Sequence, residues 1–198
     1  MKRFALLLLL VCARTAIADD AAPSQFVGAS VTGFAGFLRH NVGSYVVFYE
    51  HGVGDHHAVR AGGDFVHIHH AADHVQSHQW TYGGSLGYRY HLRSGGGPFG
   101  GAEVGYRFGH GHFGDRDSPD HVMLESHQLR VMPELGYRVI HPRLPVAFTM
   151  RVAAGYGPYE VTTTRDDAIG AAAVLQSEDN LGATGIAFDV ELSFAYAF

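Results

Sequence analysis

The sequence predicts an all-β fold, an eight-stranded antiparallel up-and-down transmembrane β-barrel, on three observations. First, large apolar residues alternate with small or charged residues over long segments, which is the period of a β-strand whose two faces lie in different environments. Second, glycine is abundant (26 residues), and aromatic residues make up 12% of the chain. Third, the chain begins with a segment typical of an export signal.

The first segment has the three parts of a secretory signal. Lys2 and Arg3 precede an apolar run, and Ala16-Ile17-Ala18 supplies a small–x–small cleavage pattern. The run is shorter than the ~20 residues of a membrane helix. We therefore predict a signal peptide over residues 1–18 and one exported domain over residues 19–198.

Composition limits the chemistry of the exported domain. The only cysteine, Cys12, lies in the predicted signal, so the domain has no thiol for a disulfide or a thiolate metal site. The chain has 14 basic residues against 19 acidic ones, and the signal removes three of the basic residues. An acidic surface argues against nucleic acid as a partner. The sequence gives no sign of a cofactor.

The first three strands are predicted with the least information about their faces. Residues 26–37 and 43–50 carry apolar side chains on both parities, so each predicts a strand whose orientation stays undetermined. Residues 56–69 predict the third strand, in which Arg60 and Asp64 share one face.

Alternation is clearest in the next four strands, where bulky apolar side chains occupy one parity and small or charged ones the other. Gly- or Pro-rich turns follow the fourth and sixth strands, and longer loops follow the fifth and seventh. The segments are strand 79–92, turn 94–98, strand 101–108, loop 113–120, strand 122–140, turn 141–145, strand 146–164 and loop 166–180. In outer-membrane barrels the short turns face the periplasm.

The face opposite the bulky residues carries arginine and carboxylate side chains. An eight-stranded barrel has an interior just wide enough for side chains to fill it, and the arginine fork satisfies two carboxylates in a confined space. We therefore predict a lumen charge network of Arg89, Glu103, Arg107, Arg130, Glu134, Arg138, Arg151, Asp189 and Glu191. Folding about the two turns predicts that Arg89 lies opposite Glu103 and that Glu134 lies opposite Arg151.

The last strand, residues 182–198, has the most regular pattern. From residue 186 on, every even position is large and apolar, and the chain ends in an aromatic residue; the last such positions are Val190, Leu192, Phe194, Tyr196 and Phe198. This ending resembles the closing-strand signature of bacterial outer-membrane barrels, in particular the small eight-stranded group typified by OmpA and OmpX. The resemblance is specific over residues 182–198 and looser over residues 78–198.

That resemblance implies a location and partners. In the family, the closing strand is recognised by the outer-membrane assembly machinery. We therefore expect a protein of the outer membrane with a periplasmic C-terminus, surrounded by outer-membrane lipids and lipopolysaccharide.

Histidine is unusually frequent, with 15 residues. Strand parity predicts an outward collar above the apolar band, made of His67, His69, His78, His110, His112 and His127, with His70, His74 and His121 beside it. Three interpretations stay open. The rings serve as an interfacial girdle, or they contact lipopolysaccharide phosphates when protonated. Alternatively they bind a divalent transition metal such as Zn, Cu or Ni, with candidate ligands His67, His69, His78, His110 and His112. In that case a third ligand from a loop would join the pair His67/His69 or the pair His110/His112.

For function, the sequence favours a non-enzymatic barrel with a structural or surface-interaction role through its loops. The alternatives are a lipopolysaccharide-modifying enzyme for acyl transfer or deacylation, a metal-binding surface barrel, or a secreted soluble protein with a sandwich or lipid-binding barrel fold. The enzyme needs an outward Ser–His–acid set, and the nearest candidate is Glu125-Ser126-His127. A second candidate pair is Ser77 and His78. Adjacent strand residues point to opposite faces, which separates Ser126 from His127 and Ser77 from His78.

Overall fold

The structure, a computed structural model, is all-β and describes residues 23–30, 42–72, 75–94, 96–115, 121–163, 173 and 185–198. Its strands are β1 (Gln25–Ser30), β2 (Val42–Gly52), β3 (His57–Ala72), β4 (Val75–Arg93), β5 (Gly96–Asp115), β6 (His121–Ile140), β7 (Val146–Tyr156), β8 (Tyr159–Thr163) and β9 (Ile186–Ala197). In the described part of the chain there is no helix with the length and apolarity that a membrane span requires.

These nine segments close into an eight-stranded barrel, in which β7 and β8 are two parts of one barrel strand. Each strand pairs antiparallel with its neighbours in the ring, and β1 pairs with both β2 and β9. β7 and β8 both pair with β6 in one continuous register, so together they form the seventh strand of the barrel. Pro158 lies between them and has no N–H for the ladder, which explains the interruption. The predicted eight-stranded antiparallel barrel is confirmed.

Several element bounds differ from the prediction. β5 continues to Asp115, so the predicted loop 113–120 begins within a strand, and the predicted seventh strand is divided at Pro158. Several predicted segments lie outside the described residues: the signal peptide, residues 31–37 of the first strand, residues 116–120 of the loop 113–120, residue 164, all of the loop 166–180 except Ala173, and residues 182–184 of the last strand.

The structure orients the first two strands, which the sequence left open. Phe26, Phe48 and Glu50 are buried in the barrel, whereas Val47 and Tyr49 are exposed on its outer surface. On β9 the outward parity is the bulky one, because Phe188 and Phe194 are exposed while Glu191 and Ser193 are buried.

Both predicted cross-strand pairs are wrong in register by two residues. Arg89 lies opposite Gly101 rather than Glu103, because the β4–β5 ladder is centred one residue earlier in the chain than predicted, at residue 95 rather than 96. Arg151 lies opposite Gly136 rather than Glu134, since the centre of the turn lies one residue further along the chain. Moving the centre of a hairpin by one residue moves every pair by two.

Apolar clusters occupy both ends of the interior. Phe26, Phe48, Ala147, Ala195 and Ala197 pack together at the end where β1 begins and β9 ends, which we call the end near the termini. At the opposite end Val122, Leu124 and Val161 pack with Ala173, which is fully buried. The polar side chains between these clusters are therefore shielded from both openings.

Candidate functional site

The middle of the lumen is filled by charged side chains in equal numbers. Among the described residues, six arginines and six carboxylates point inward and form ion pairs: Arg60, Arg89, Arg107, Arg130, Arg138, Arg151, Glu50, Asp64, Glu103, Glu134, Asp189 and Glu191. All nine residues predicted for the lumen lie in this set. Their formal charges cancel, which a site with little solvent requires.

Arg151 is the most connected member. Its Nη1 lies 2.8 Å from Glu134 Oε2 and 3.2 Å from Glu103 Oε2, its Nε donates to Glu191 Oε2 at 2.8 Å, and its Nη2 donates to Asp189 Oδ2 at 2.6 Å. The predicted Glu134–Arg151 contact thus exists, although the two residues are not directly opposite each other. One guanidinium reaches four carboxylates because its donors are arranged in a planar fork.

Glu50 is the second centre, and the sequence did not identify it. Arg89 Nη1 donates to its Oε2 at 2.7 Å, and Arg138 donates from Nη1 and Nη2 to its two oxygens at 2.6 and 2.8 Å. Arg89 also donates to Glu134 at 2.6 Å, so its partners are Glu50 and Glu134 and not the predicted Glu103.

Two further residues from β3 complete the network. Arg60 donates from Nη2 to both oxygens of Glu191 at 2.8 and 3.0 Å. Asp64 accepts from Arg107 Nε, and Arg130 Nη2 lies 3.2 Å from Glu103 Oε1. Arg60 and Asp64 were predicted to share a face, and that parity was the signal that could have added them to the predicted set.

Glycines give these long side chains room to cross the lumen. Arg89, Arg151 and Glu103 lie opposite Gly101, Gly136 and Gly87, respectively. A Cβ added at Gly101 would lie 3.1 Å from Glu134 Oε1. Several ion pairs therefore join strands that are not neighbours in the sheet, among them Arg60–Glu191, Arg89–Glu50 and Arg138–Glu50.

Among the described side chains, three phenylalanine rings point inward, against the rule that bulky apolar residues face outward. Each lies under a guanidinium: Arg60 is 4.2 Å from the Phe48 ring centroid, Arg138 is 4.3 Å from that of Phe26, and Arg89 is 4.6 Å from that of Phe99. The face of an aromatic ring attracts a cation, so these rings support the charge network.

A cavity of about 420 Å³ lies at the end of the interior near the termini. Its wall includes Glu50, Arg138 and the buried ring of His91, whose Nε2 lies 3.6 Å from Glu50 Oε1. The cavity is polar on the side that meets the charge network.

The outer surface has the opposite chemistry. Large apolar side chains form a band around the ring, with Leu86, Leu135 and Phe188 66, 72 and 68% exposed. Aromatic residues flank the band: Tyr49, Tyr88, Tyr90, Tyr137 and Tyr196 towards the termini, and Phe65, Trp80, Tyr82, Phe108 and Tyr156 towards the other end. Val190, Leu192, Phe194 and Tyr196 belong to this surface, and the backbone of Phe198 is hydrogen bonded to that of Gln25.

Five histidines and one tryptophan gather on the outer face of β3, β4 and β5; we call this group the histidine cluster. It forms two cross-strand rows, His67–Trp80–His110 and His69–His78–His112. The rings are stacked: the centroids of His69 and His78 are 4.1 Å apart with planes 9° apart, and those of Trp80 and His110 are 5.6 Å apart.

This stacking does not suit a metal ion. A metal lies near the plane of each imidazole it binds, whereas the parallel planes of His69 and His78 would leave it between the two rings. The described residues contain no group of three His, Cys, Asp or Glu residues that could hold a metal ion. The side chains of His70 and His121, and His74 altogether, lie outside the described residues.

The suggested Ser–His pairs are not assembled. Ser126 is buried in the lumen, whereas His127 lies on the outer surface with its Nδ1 2.6 Å from the Tyr106 hydroxyl. Ser77 is likewise buried, and His78 belongs to the outward histidine cluster.

Comparison with protein-family models, with curated proteins and with solved structures gave no match to this chain.

Proposed function

We propose that this chain is a non-enzymatic outer-membrane β-barrel protein with a filled polar lumen and a structural or surface-interaction role. The observation that carries the proposal is the distribution of its side chains, which is the reverse of that in a soluble globular protein. Among the described residues, a closed ring encloses six arginines and six carboxylates, of which all but Arg107 and Asp189 are buried, and it exposes a band of Leu, Val, Ile and Phe. Soluble monomers rarely expose contiguous apolar patches above a few hundred Å².

The charged residues of the outer surface support the same proposal. On the outward parity of the described strands, the only Asp, Glu, Lys or Arg residues are Glu125 and Glu160. Both lie at the end of the barrel away from the termini, beyond the aromatic residues that flank the apolar band. The apolar band itself carries no charge along the described strands, which is what a hydrocarbon environment requires.

The filled lumen bears on the role. Charged side chains occupy the middle of the barrel, and apolar clusters occupy both ends. An eight-stranded barrel filled in this way is too narrow for general diffusion of solutes. The role is therefore assigned to the outer surface and to the loops at the end away from the termini, with the C-terminus on the periplasmic side.

The test is the fate of the full chain in a Gram-negative host. We expect it in the membrane pellet after carbonate washing, released only by detergent, and with faster gel mobility before boiling than after boiling. A chain lacking residues 2–18 is the matched control and is expected to stay out of that fraction. Recovery of the full chain in the soluble periplasmic fraction would overturn the proposal in favour of a secreted soluble barrel.

A further inference from the structure

The histidine cluster begins where the apolar band ends. The row Phe65–Tyr82–Phe108 lies next to the cluster on the same face of the same three strands, on the side of the apolar band. Next along the strands come His67–Trp80–His110 and then His69–His78–His112. If the band lies in hydrocarbon, as proposed above, these two rows lie at the depth of lipid headgroups, where tryptophan is also preferred.

The cluster occupies only one sector of the rim. On the β6 side, Glu125 lies opposite His110 and Met123 lies opposite His112, with its Sδ 2.9 Å from His112 Nδ1. On the β2 side, His67 lies opposite Gly43. Further round the ring, His127 lies opposite Glu160. Apart from Glu125 at one edge, no Asp, Glu, Lys or Arg among the described residues lies next to the cluster on the outer face.

The size of the surface fits a phosphorylated headgroup. Neighbouring strands lie about 4.8 Å apart and same-face residues about 7 Å apart, so the two rows span roughly 10 by 7 Å. Stacked imidazoles at 4.1 Å repel one another once they are protonated, and a bound anion offsets that repulsion. His69 Nε2 is buried and has no hydrogen-bond partner among the described residues, so a protonated ring has a donor left to satisfy there.

We propose that the histidine cluster is a binding surface for anionic lipid headgroups that carry phosphate monoesters, occupied when its imidazoles are protonated. The proposal rests on the membrane location inferred above. Imidazole takes up a proton near pH ~6.5, so lipid binding and proton uptake are linked. One proton taken up per bound headgroup makes binding about tenfold tighter for each unit by which the pH falls, down to the imidazole range.

Trp80 gives a direct readout, because it is the only tryptophan of the chain and lies inside the cluster. The purified full chain is folded into phosphatidylcholine vesicles that contain either brominated phosphatidic acid or brominated phosphatidylcholine at equal mole fraction. Bromine quenches tryptophan fluorescence on contact. We expect stronger quenching by the brominated phosphatidic acid at about pH 5.5, and equal quenching by the two lipids at about pH 8.

Two double variants separate the cluster from histidine in general. His78→Gln/His112→Gln is expected to remove the preference for phosphatidic acid at the lower pH. His51→Gln/His57→Gln removes two exposed histidines near the termini and is expected to leave the preference unchanged. The pH series on the unaltered chain tests the proposal even where a variant fails to fold.

Each other outcome has a distinct meaning. Equal quenching by both lipids at both pH values would overturn the headgroup proposal while leaving the barrel in the membrane. Loss of the preference on adding EDTA, or full competition by inorganic phosphate, would assign the surface to a bridging metal or to free phosphate instead. Quenching by neither lipid would overturn the membrane location itself.

Discussion

The interior and the outer surface of this barrel are built from alternate residues of the same strands, yet they are stabilised in different ways. Inside, each charged group depends on named partners, as Arg151 does on four carboxylates. Outside, Leu86 and Phe188 are apolar and exposed, and in the proposed membrane they need only an apolar environment rather than specific partners. A substitution inside should therefore be sensitive to the partner that remains, and one outside to the solvent around it.

The largest effect is expected where that dependence on partners is greatest. Arg151→Met should lower the free energy of unfolding by about 3–5 kcal/mol, because it leaves several buried carboxylates short of a cation. Urea unfolding of the barrel in lipid vesicles measures it. Arg143→Met, in an exposed turn, is the matched control and should have almost no effect.

The double variant Arg151→Met/Glu191→Gln sharpens the same test. Removing a cation together with one of its carboxylates should cost less than the two single changes added together. Strict additivity would mean that these charges do not interact and that the interior is more solvated than the ion pairs indicate.

The next effect tests the environment of the outer surface. Leu86→Arg lies in the middle of the apolar band and should cost about 2–4 kcal/mol in a bilayer, whereas Leu92→Arg, at the end of β4, should cost about 0–1 kcal/mol. Both leucines are similarly exposed, so a barrel that lies in water would tolerate the two changes equally. Unfolding in phosphatidylcholine vesicles distinguishes the two cases.

The smallest effects are expected for alanine substitutions at two glycines, one on the inward face and one on the outward face. A Cβ at the inward Gly155 would lie 2.8 Å from Met132 Cα and closer still to the Val131 carbonyl oxygen, so Gly155→Ala should cost about 1–3 kcal/mol. At the outward Gly84 the nearest atom, Gly62 O, is 3.7 Å away, and Gly84→Ala should be neutral or stabilising by about 0.4–1 kcal/mol. Equal effects in urea unfolding would show that the backbone around Gly155 relaxes.

How far the sequence predicts the site depends on how well each strand alternates. In the later strands bulky and small residues separate by parity, and Arg89, Glu103 and Arg138 lie inside, on the face that the pattern assigned to them. The rule gives no answer for β2, where Phe48 and Tyr49 are adjacent and both large. Phe48 is inward because it lies under Arg60, which belongs to another strand, and Glu50 shares its face.

The sequence by itself determined which later residues face the lumen, because strand parity is a local property that needs no knowledge of the neighbouring strands. Only the tertiary structure decided the partners. The centres of the turns set the register, glycines opposite the charges let side chains reach across, and closure of the ring brought Glu50 of β2 to Arg138 of β6. Contacts between residues 88 positions apart arise from the ring as a whole, and no local pattern encodes them.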